Sequence, residues 1–316
     1  MGMKLVVVIL SIVLLAWGPG MVFAQGLGLP SFGGLMGGPS CAPKADPKGG
    51  AGLALEVGYL TTNPSVSLDF TADQLALGGV RQFQHRYPVQ GLWLALSADG
   101  RVGDLGVFTR GSWLVPSNKE SDEAYNGTVA LRTWGAKTQW YTLEGAGMYP
   151  AYGSFAAVGG FRYDAFDTSF SDPVAVGLAF TNPSDEADVT VRAYIPYFGL
   201  VVNQDAALKF GLIGFPYLFG NVKYNQTFGG VFHFESSGAL RNGYFLEAFA
   251  EYGAQIMGGY AGIFGTWTYL RASADMDITQ AGAAGAPQPY TFSMQRQNFI
   301  FGRKFALSFN LPYIPF

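Results

Sequence analysis

From Leu53 to Leu311 the chain keeps a two-residue rhythm in which apolar side chains alternate with glycine, small polar or charged ones. In the stretch 155–164 one parity reads Phe155, Ala157, Gly159, Phe161 and Tyr163. The other carries Ala156, Val158, Gly160, Arg162 and Asp164. Successive side chains of a strand leave on opposite faces, so such a stretch is a ribbon with one greasy and one wetter side. The rhythm recurs at Leu53, Leu55, Val57 and Tyr59, at Leu92, Leu94 and Leu96, at Tyr141, Leu143 and Tyr149, and at Tyr244, Leu246 and Tyr252. A chain patterned this way is all-β.

Composition says what the greasy side faces. Charged residues make up 13 % and hydrophobic ones 49 %, with 44 Gly, 26 Phe and 17 Tyr. Soluble domains carry about a quarter charged residues, and disordered chains lack aromatics. The apolar side chains exceed what a core needs, so some are expected to face lipid. The N-terminus agrees: Lys4 precedes an apolar run from Leu5 to Trp17, Gly18-Pro19-Gly20 follows, and Val22-Phe23-Ala24 offers a cleavage site before Gln25. The run is shorter than the roughly 20 residues a spanning helix needs, so 1–24 is read as a signal peptide. No later segment is an uninterrupted apolar helix. Only helices and closed barrels satisfy every backbone group in hydrocarbon, so a lipid-facing chain without helices is a barrel.

Residues 25–50, rich in Gly and Pro and without periodicity, read as a tail in the periplasm or folded into the lumen. They contain Cys41, which as the lone cysteine has no intramolecular partner. Residues 51–316 carry the strands. Asp99-Gly100 reads as a hairpin turn, and the polar stretches 116–126 and 169–187 read as loops. Tyr290 to Phe301 and Arg303 to Leu311 read as two final strands. Tyr59, Trp113, Tyr149, Tyr197, Tyr252 and Tyr260 near strand ends suggest aromatic girdles. The hairpin count gives a transmembrane antiparallel up-and-down β-barrel of about 12 strands, within roughly 10 to 14.

On this pattern the chain resembles Gram-negative outer-membrane β-barrel proteins. Phe305, Leu307, Phe309, Leu311 and Tyr313 alternate as in their closing strand, although the last residue, Phe316, falls on the opposite parity after Pro312 and Pro315. The resemblance implies export to a bacterial outer membrane, contact with its lipids and with the barrel assembly machinery, and a small solute as possible cargo.

Chemistry is thinly signposted. A barrel protease of the omptin kind uses an Asp pair and an Asp–His pair, but neither His85 nor His233 has an Asp beside it or two residues away. A phospholipase needs Ser, His and an orienting group to converge; His233 with Glu235 is at most one piece. Two His and one Cys show no metal spacing, and a net charge of −3 without a basic stripe excludes nucleic-acid binding. No catalytic, cofactor-binding or metal residue is assigned. The informative set is the wetter parity, expected to face the lumen: Glu56, Arg110, Glu144, Arg162, Asp164, Arg192, His233, Glu235, Glu247, Glu251 and Arg271. Both signs occur, which fits a plugged barrel or a narrow pore, whereas a single-sign ring would mark ion selectivity. The expected function is a narrow channel or small-molecule permeation protein, with a structural or adhesion barrel, and then a barrel hydrolase, as alternatives.

Overall fold

The computed structural model describes residues 50–70, 82–102, 105–115, 117–125, 132–152, 154–176, 182–203, 208–228, 232–256, 259–280 and 288–310. The signal peptide, the tail up to residue 49, Cys41 and the terminal Phe316 lie outside them. Among the described residues, fourteen strands form one antiparallel sheet. Several are collinear pieces of longer staves: β1 (Gly50–Thr62) with β2 (Ser65–Phe70), β3 (Gln82–Arg86) with β4 (Val89–Val102), β5 (Leu105–Leu114) with β6 (Ser117–Tyr125), and β10 (Leu208–Phe215) with β11 (Phe219–Phe228). Both members of each pair continue along the same neighbouring stave; β14 takes β1 at Thr62↔Asn298 and β2 at Ser65↔Gln295, and β3 and β4 lie against β2 and β1 in turn. The remaining staves are β7 (Arg132–Tyr152), β8 (Phe155–Ala175), β9 (Glu186–Asn203), β12 (Phe232–Ile256), β13 (Gly259–Gln280) and β14 (Gln288–Asn310). These four pairs and six single strands make ten staves, the lower end of the expected range. The ring closes because β1 pairs with β4 on one side and β14 on the other.

Proline explains the interruptions. Pro64, Pro88, Pro116 and Pro216 stand in the four gaps between collinear strands, and proline has no N–H for the ladder. Tyr87 N donates to Pro64 O at 3.3 Å and Val115 N to Leu92 O at 3.0 Å, so the staves stay paired across the gaps. Asn63-Pro64 is therefore a break within one stave. Where β11 restarts, Gly220 has φ of 149°, a conformation open to glycine.

Four sequence expectations are corrected. Asp99-Gly100 lies inside β4, whose pairing with β5 continues to Val102↔Leu105. The polar segment 117–125 is strand β6, and 169–175 belongs to β8. The last two strands are one, β14. Of the aromatic set, Tyr59, Tyr149 and Tyr252 point outward, but Tyr197 is 3 % exposed and faces the interior. Tyr260 also takes the inward parity of β13, its hydroxyl packed close to where side chains at Gly253 and Gly262 would stand.

The staves join through 103–104, 153–154, 204–207 and 257–258 at the rim that holds the first and last described strand ends. At the other rim they join through 71–81, 126–131, 176–185, 229–231 and 281–287. Outer-membrane barrels turn tightly on the periplasmic side and carry longer connections outside, which assigns the two rims.

The wall is twice as long as a bilayer requires. A tilted spanning strand needs about 9–11 residues, yet β7 and β8 each have 21 and β12 has 25. The outward side chains divide accordingly. In the periplasmic half they are apolar: Leu53, Leu55, Phe161, Phe198, Leu200, Leu212, Ile263, Phe301 and Phe305 are all exposed. Tyrosines mark the upper border of this belt, with Tyr163 against Tyr194 at 5.1 Å and Tyr244 stacked on Tyr269 at 5.3 Å between ring centroids. Above it the outward positions are polar, including Lys137, Gln139, Asp188, Lys223, Glu235, Asp275 and Gln297. The inward positions reverse with them. The extracellular half encloses Val66, Leu68, Trp134, Phe166, Phe170, Val191, Val222, Phe292 and Met294, each at most 2 % exposed.

Among the described residues of the belt one charged side chain points outward, Arg303, between Phe301 and Phe305 on β14. Arginine on the lipid face near the midplane costs about 2–4 kcal/mol and little near an interface. Phe301→Arg is expected to lower unfolding stability in lipid vesicles by about that amount, and Arg303→Leu to raise it. Urea titration of the reconstituted barrel measures both, and equal midpoints for Phe301→Arg and wild type would remove the belt from this face.

Candidate functional site in the barrel interior

In the periplasmic half the inward positions hold charges, and strand register sets their signs in alternation. Arg110 on β5 lies opposite Glu144 on β7, which lies opposite Arg162 on β8. Glu56 on β1 faces Lys304 on β14, and Lys209 on β10 faces Glu251 on β12. Opposite charges directly across a ladder stabilise the pairing of their strands.

The side chains also reach beyond their neighbours. Arg110 donates to Glu56 across the intervening β4. Arg162 donates to Glu144 at 3.1 Å and, through both terminal nitrogens, to Glu247 of β12 at 2.8 and 3.2 Å. Lys304 reaches Glu251 at 3.1 Å and Glu56 at 3.6 Å. Arg296 of β14 pairs with Asp164 of β8, five staves away around a ring of ten, and so spans the diameter. Its guanidinium lies 3.9 Å from the centroid of Trp140 and 5.0 Å from that of Phe166, so aromatic faces receive the part of the cation that Asp164 leaves. Tyr197 donates to Glu144, and Thr268 to Glu247 at 3.1 Å. The Tyr197 hydroxyl passes beside Gly160, where an added Cβ would come within 2.6 Å of it, so glycine makes that reach possible.

These groups are buried. Two cavities beside the network, one against Tyr197, Glu144 and Glu247 and one against Glu56, Arg110 and Lys304, have volumes of about 20 Å³ each, room for about one water apiece. Above the charged layer the lumen is filled by rings: Trp93 meets Trp140 at 5.1 Å, and His85 stacks on Phe170 at 4.7 Å. Among the described residues, these side chains fill the interior from the charged layer into the extracellular half.

Seven of the eleven expected lumen residues, Glu56, Arg110, Glu144, Arg162, Asp164, Glu247 and Glu251, lie in this interior. The other four do not. Arg192 points outward and pairs with Asp167 at 2.6 Å, and His233, Glu235 and Arg271 are exposed on the outer face. All four sit above the belt, where the polar parity is the outer one. His233 Nδ1 lies 3.2 Å from the Thr227 hydroxyl, whereas His85 is fully buried with Nε2 3.3 Å from the Tyr224 hydroxyl. The two histidines do not converge. Among the described residues no group of three or more His, Cys, Asp or Glu could hold a metal ion.

Sequence reasoning missed Asp99, Lys209, Arg296 and Lys304, all at most 6 % exposed. Lys304 was readable, since it stands on the parity opposite Phe305 and Leu307. Asp99 was hidden by a turn signal and Lys209 by a run apolar on both faces.

No family model matches the chain, and no curated protein does. Solved structures do. The outer membrane protease OmpT from Escherichia coli superposes with a TM-score of 0.66 at 9 % identity, covering 82 % of this chain and 97 % of that one. The outer membrane protein OprG from Pseudomonas aeruginosa gives 0.34 at 14 % identity, with 82 % and 97 % covered. The toluene transporter TodX from Pseudomonas putida gives 0.33 at 8 %, with 90 % and 96 % covered. The chain has the fold of Gram-negative outer-membrane β-barrels.

Removing one partner of a buried ion pair leaves an uncompensated charge and costs about 3–5 kcal/mol. Arg296→Met is expected to destabilise the barrel by that amount, and Arg296→Met combined with Asp164→Leu to recover most of it. Denaturant midpoints of the single and double variants measure the coupling; an additive double variant would mean the cross-lumen pair is not a unit.

Proposed function

We propose that this protein is a closed barrel of the bacterial outer membrane, exported with its signal peptide removed before Gln25, that acts through its extracellular half rather than through its lumen. The observation that carries the reading is the Arg296–Asp164 pair across the full diameter, set in an interior whose neighbouring cavities hold about a water each. A solute path along the axis would have to part this pair, the Arg162–Glu247 pair and the aromatic layer above them. Each separation strands a buried charge.

The alternatives rank below this. A narrow channel, the first expectation from the sequence, requires a second arrangement of the charged layer. A rim hydrolase requires a base and a nucleophile in reach of one another, and His85 and His233 lie on opposite sides of the wall. What the closed reading does have is an elongated outer half, polar on its surface, that lifts the strand ends at Phe70, Tyr125, Ala175 and Gln280 away from the bilayer. A barrel of this form suits a structural or adhesive role, with a macromolecular surface as its partner.

Two measurements test the proposal. The purified protein in planar bilayers is expected to show no resolved current steps; reproducible steps would return the channel to first place. In a Cys41→Ser background, Lys223→Cys and Gln139→Cys are expected to react with an impermeant maleimide on whole cells, while Gln255→Cys does not. The reverse labelling pattern would invert the barrel.

A further inference from the structure

On the outer surface, where the apolar belt ends on β14, the wall is recessed. The recess has a volume of about 350 Å³ and is lined by Thr62, Gln84, Arg86, Gln295, Gln297 and Phe299 among others. It lies at the proline gaps of two adjacent staves, Asn63-Pro64 and Tyr87-Pro88, where the ladder is interrupted. A volume of this size is within the range of small-ligand sites, about 300–1,000 Å³.

The lining has a definite chemistry. Three glutamine amides and Asn63 each offer both donors and acceptors, the pattern that suits a polyhydroxylated group. Arg86 is the one charged residue among those lining the recess; Asp122 stands opposite it across the ladder to β6, on the side away from the recess. Gln84 fixes it from the side, donating to the Ser65 hydroxyl at 2.9 Å and accepting from Arg86 at 2.7 Å. That bond uses one of five guanidinium donors and leaves a fork suited to phosphate.

Position narrows the occupant. Immediately below, Phe299, Phe301 and Tyr59 are 49 %, 66 % and 55 % exposed on the belt, and the rim assignment places the recess on the outer leaflet. We propose that it binds the phosphorylated sugar headgroup of an outer-leaflet glycolipid, with Arg86 on the phosphate, the glutamines on the sugar hydroxyls, and the acyl chains running down over Phe299 and Phe301. Because the site lies on the outer wall, it is independent of whether the lumen conducts.

The test uses the full mature protein in phosphatidylcholine nanodiscs containing a bis-phosphorylated disaccharide glycolipid, with bound glycolipid counted by native mass spectrometry. Arg86→Ala with Gln297→Ala is expected to weaken binding by about tenfold, the scale of losing a charged hydrogen-bonded contact, while Lys223→Ala on the far side leaves it unchanged. In Arg86→Gln, phosphorylated and dephosphorylated glycolipids are expected to bind equally. Wild-type retention by the double variant, with its heat-dependent gel shift intact, would overturn the site. Continued preference of Arg86→Gln for the phosphorylated form would overturn the role of Arg86. Equal binding of the deacylated sugar phosphate would overturn the lipid as its source.

Discussion

The pairing of opposite charges inside the membrane-embedded half is the constraint on which the rest of the structure depends. In this half the outward face must be apolar, because it meets lipid. If the inward face were apolar too, little would decide which face turns inward, and a strand slipped by one residue would expose much the same surface. Charged inward positions remove that ambiguity, since a slip would carry Glu144, Arg162 or Lys304 into hydrocarbon. Buried charge is tolerable only when paired, and register supplies the pairing: Arg110, Glu144 and Arg162 stand opposite one another on consecutive staves. Longer reaches, from Arg162 to Glu247 and from Arg296 to Asp164, then tie distant parts of the wall together.

Above the membrane the same staves solve the inverse problem. Their outer surface meets water, so the polar parity turns outward and the apolar one fills the lumen, as in a small soluble barrel. The change is written within single strands. On β7 the apolar residues stand at even positions through Trp134, Ala136 and Trp140, then at odd ones from Tyr141 through Leu143 to Tyr149. On β8 they are odd from Phe155 to Tyr163 and even at Phe166 and Phe170. Side-chain direction does not change at the crossover; the identity of the wet face does. The aromatic border, with Tyr141, Tyr163 and Tyr194 near one another, falls at this level.

That crossover separates what was legible in the sequence from what was not. Period-two alternation marks strands whatever lies on either side, so the all-β barrel and the inward residues Glu56, Arg110, Glu144, Arg162, Asp164, Glu247 and Glu251 could be read directly. Alternation does not say which face is inside. Taking the greasy parity as lipid-facing throughout misplaced Arg192, His233, Glu235 and Arg271, all above the border. The polar strand β6 read as a loop for a related reason: an outward face in water has no need of apolar residues. Proline was ambiguous in another way, since at Asn63-Pro64 it interrupts a ladder without reversing the chain. Cross-lumen partners such as Arg296 and Asp164, 132 residues apart, follow only from closure of the ring.

The two halves together account for a wall longer than the bilayer. A charged lumen alone is a poor foundation for a tall barrel, because each additional buried pair adds desolvation that its attraction barely offsets. An aromatic core contributes through burial without that penalty, but it needs a polar exterior and so cannot be placed in lipid. Stacking the second on the first uses each where its exterior is permitted, and Arg296 is the hinge between them: its guanidinium binds Asp164 of the charged layer while lying on Trp140 and Phe166 of the aromatic one. A residue that belongs to both layers couples their stability, so the extracellular half is held in place by the ion pairs beneath it. An interior joined in this way from layer to layer serves as a core for both halves of the wall.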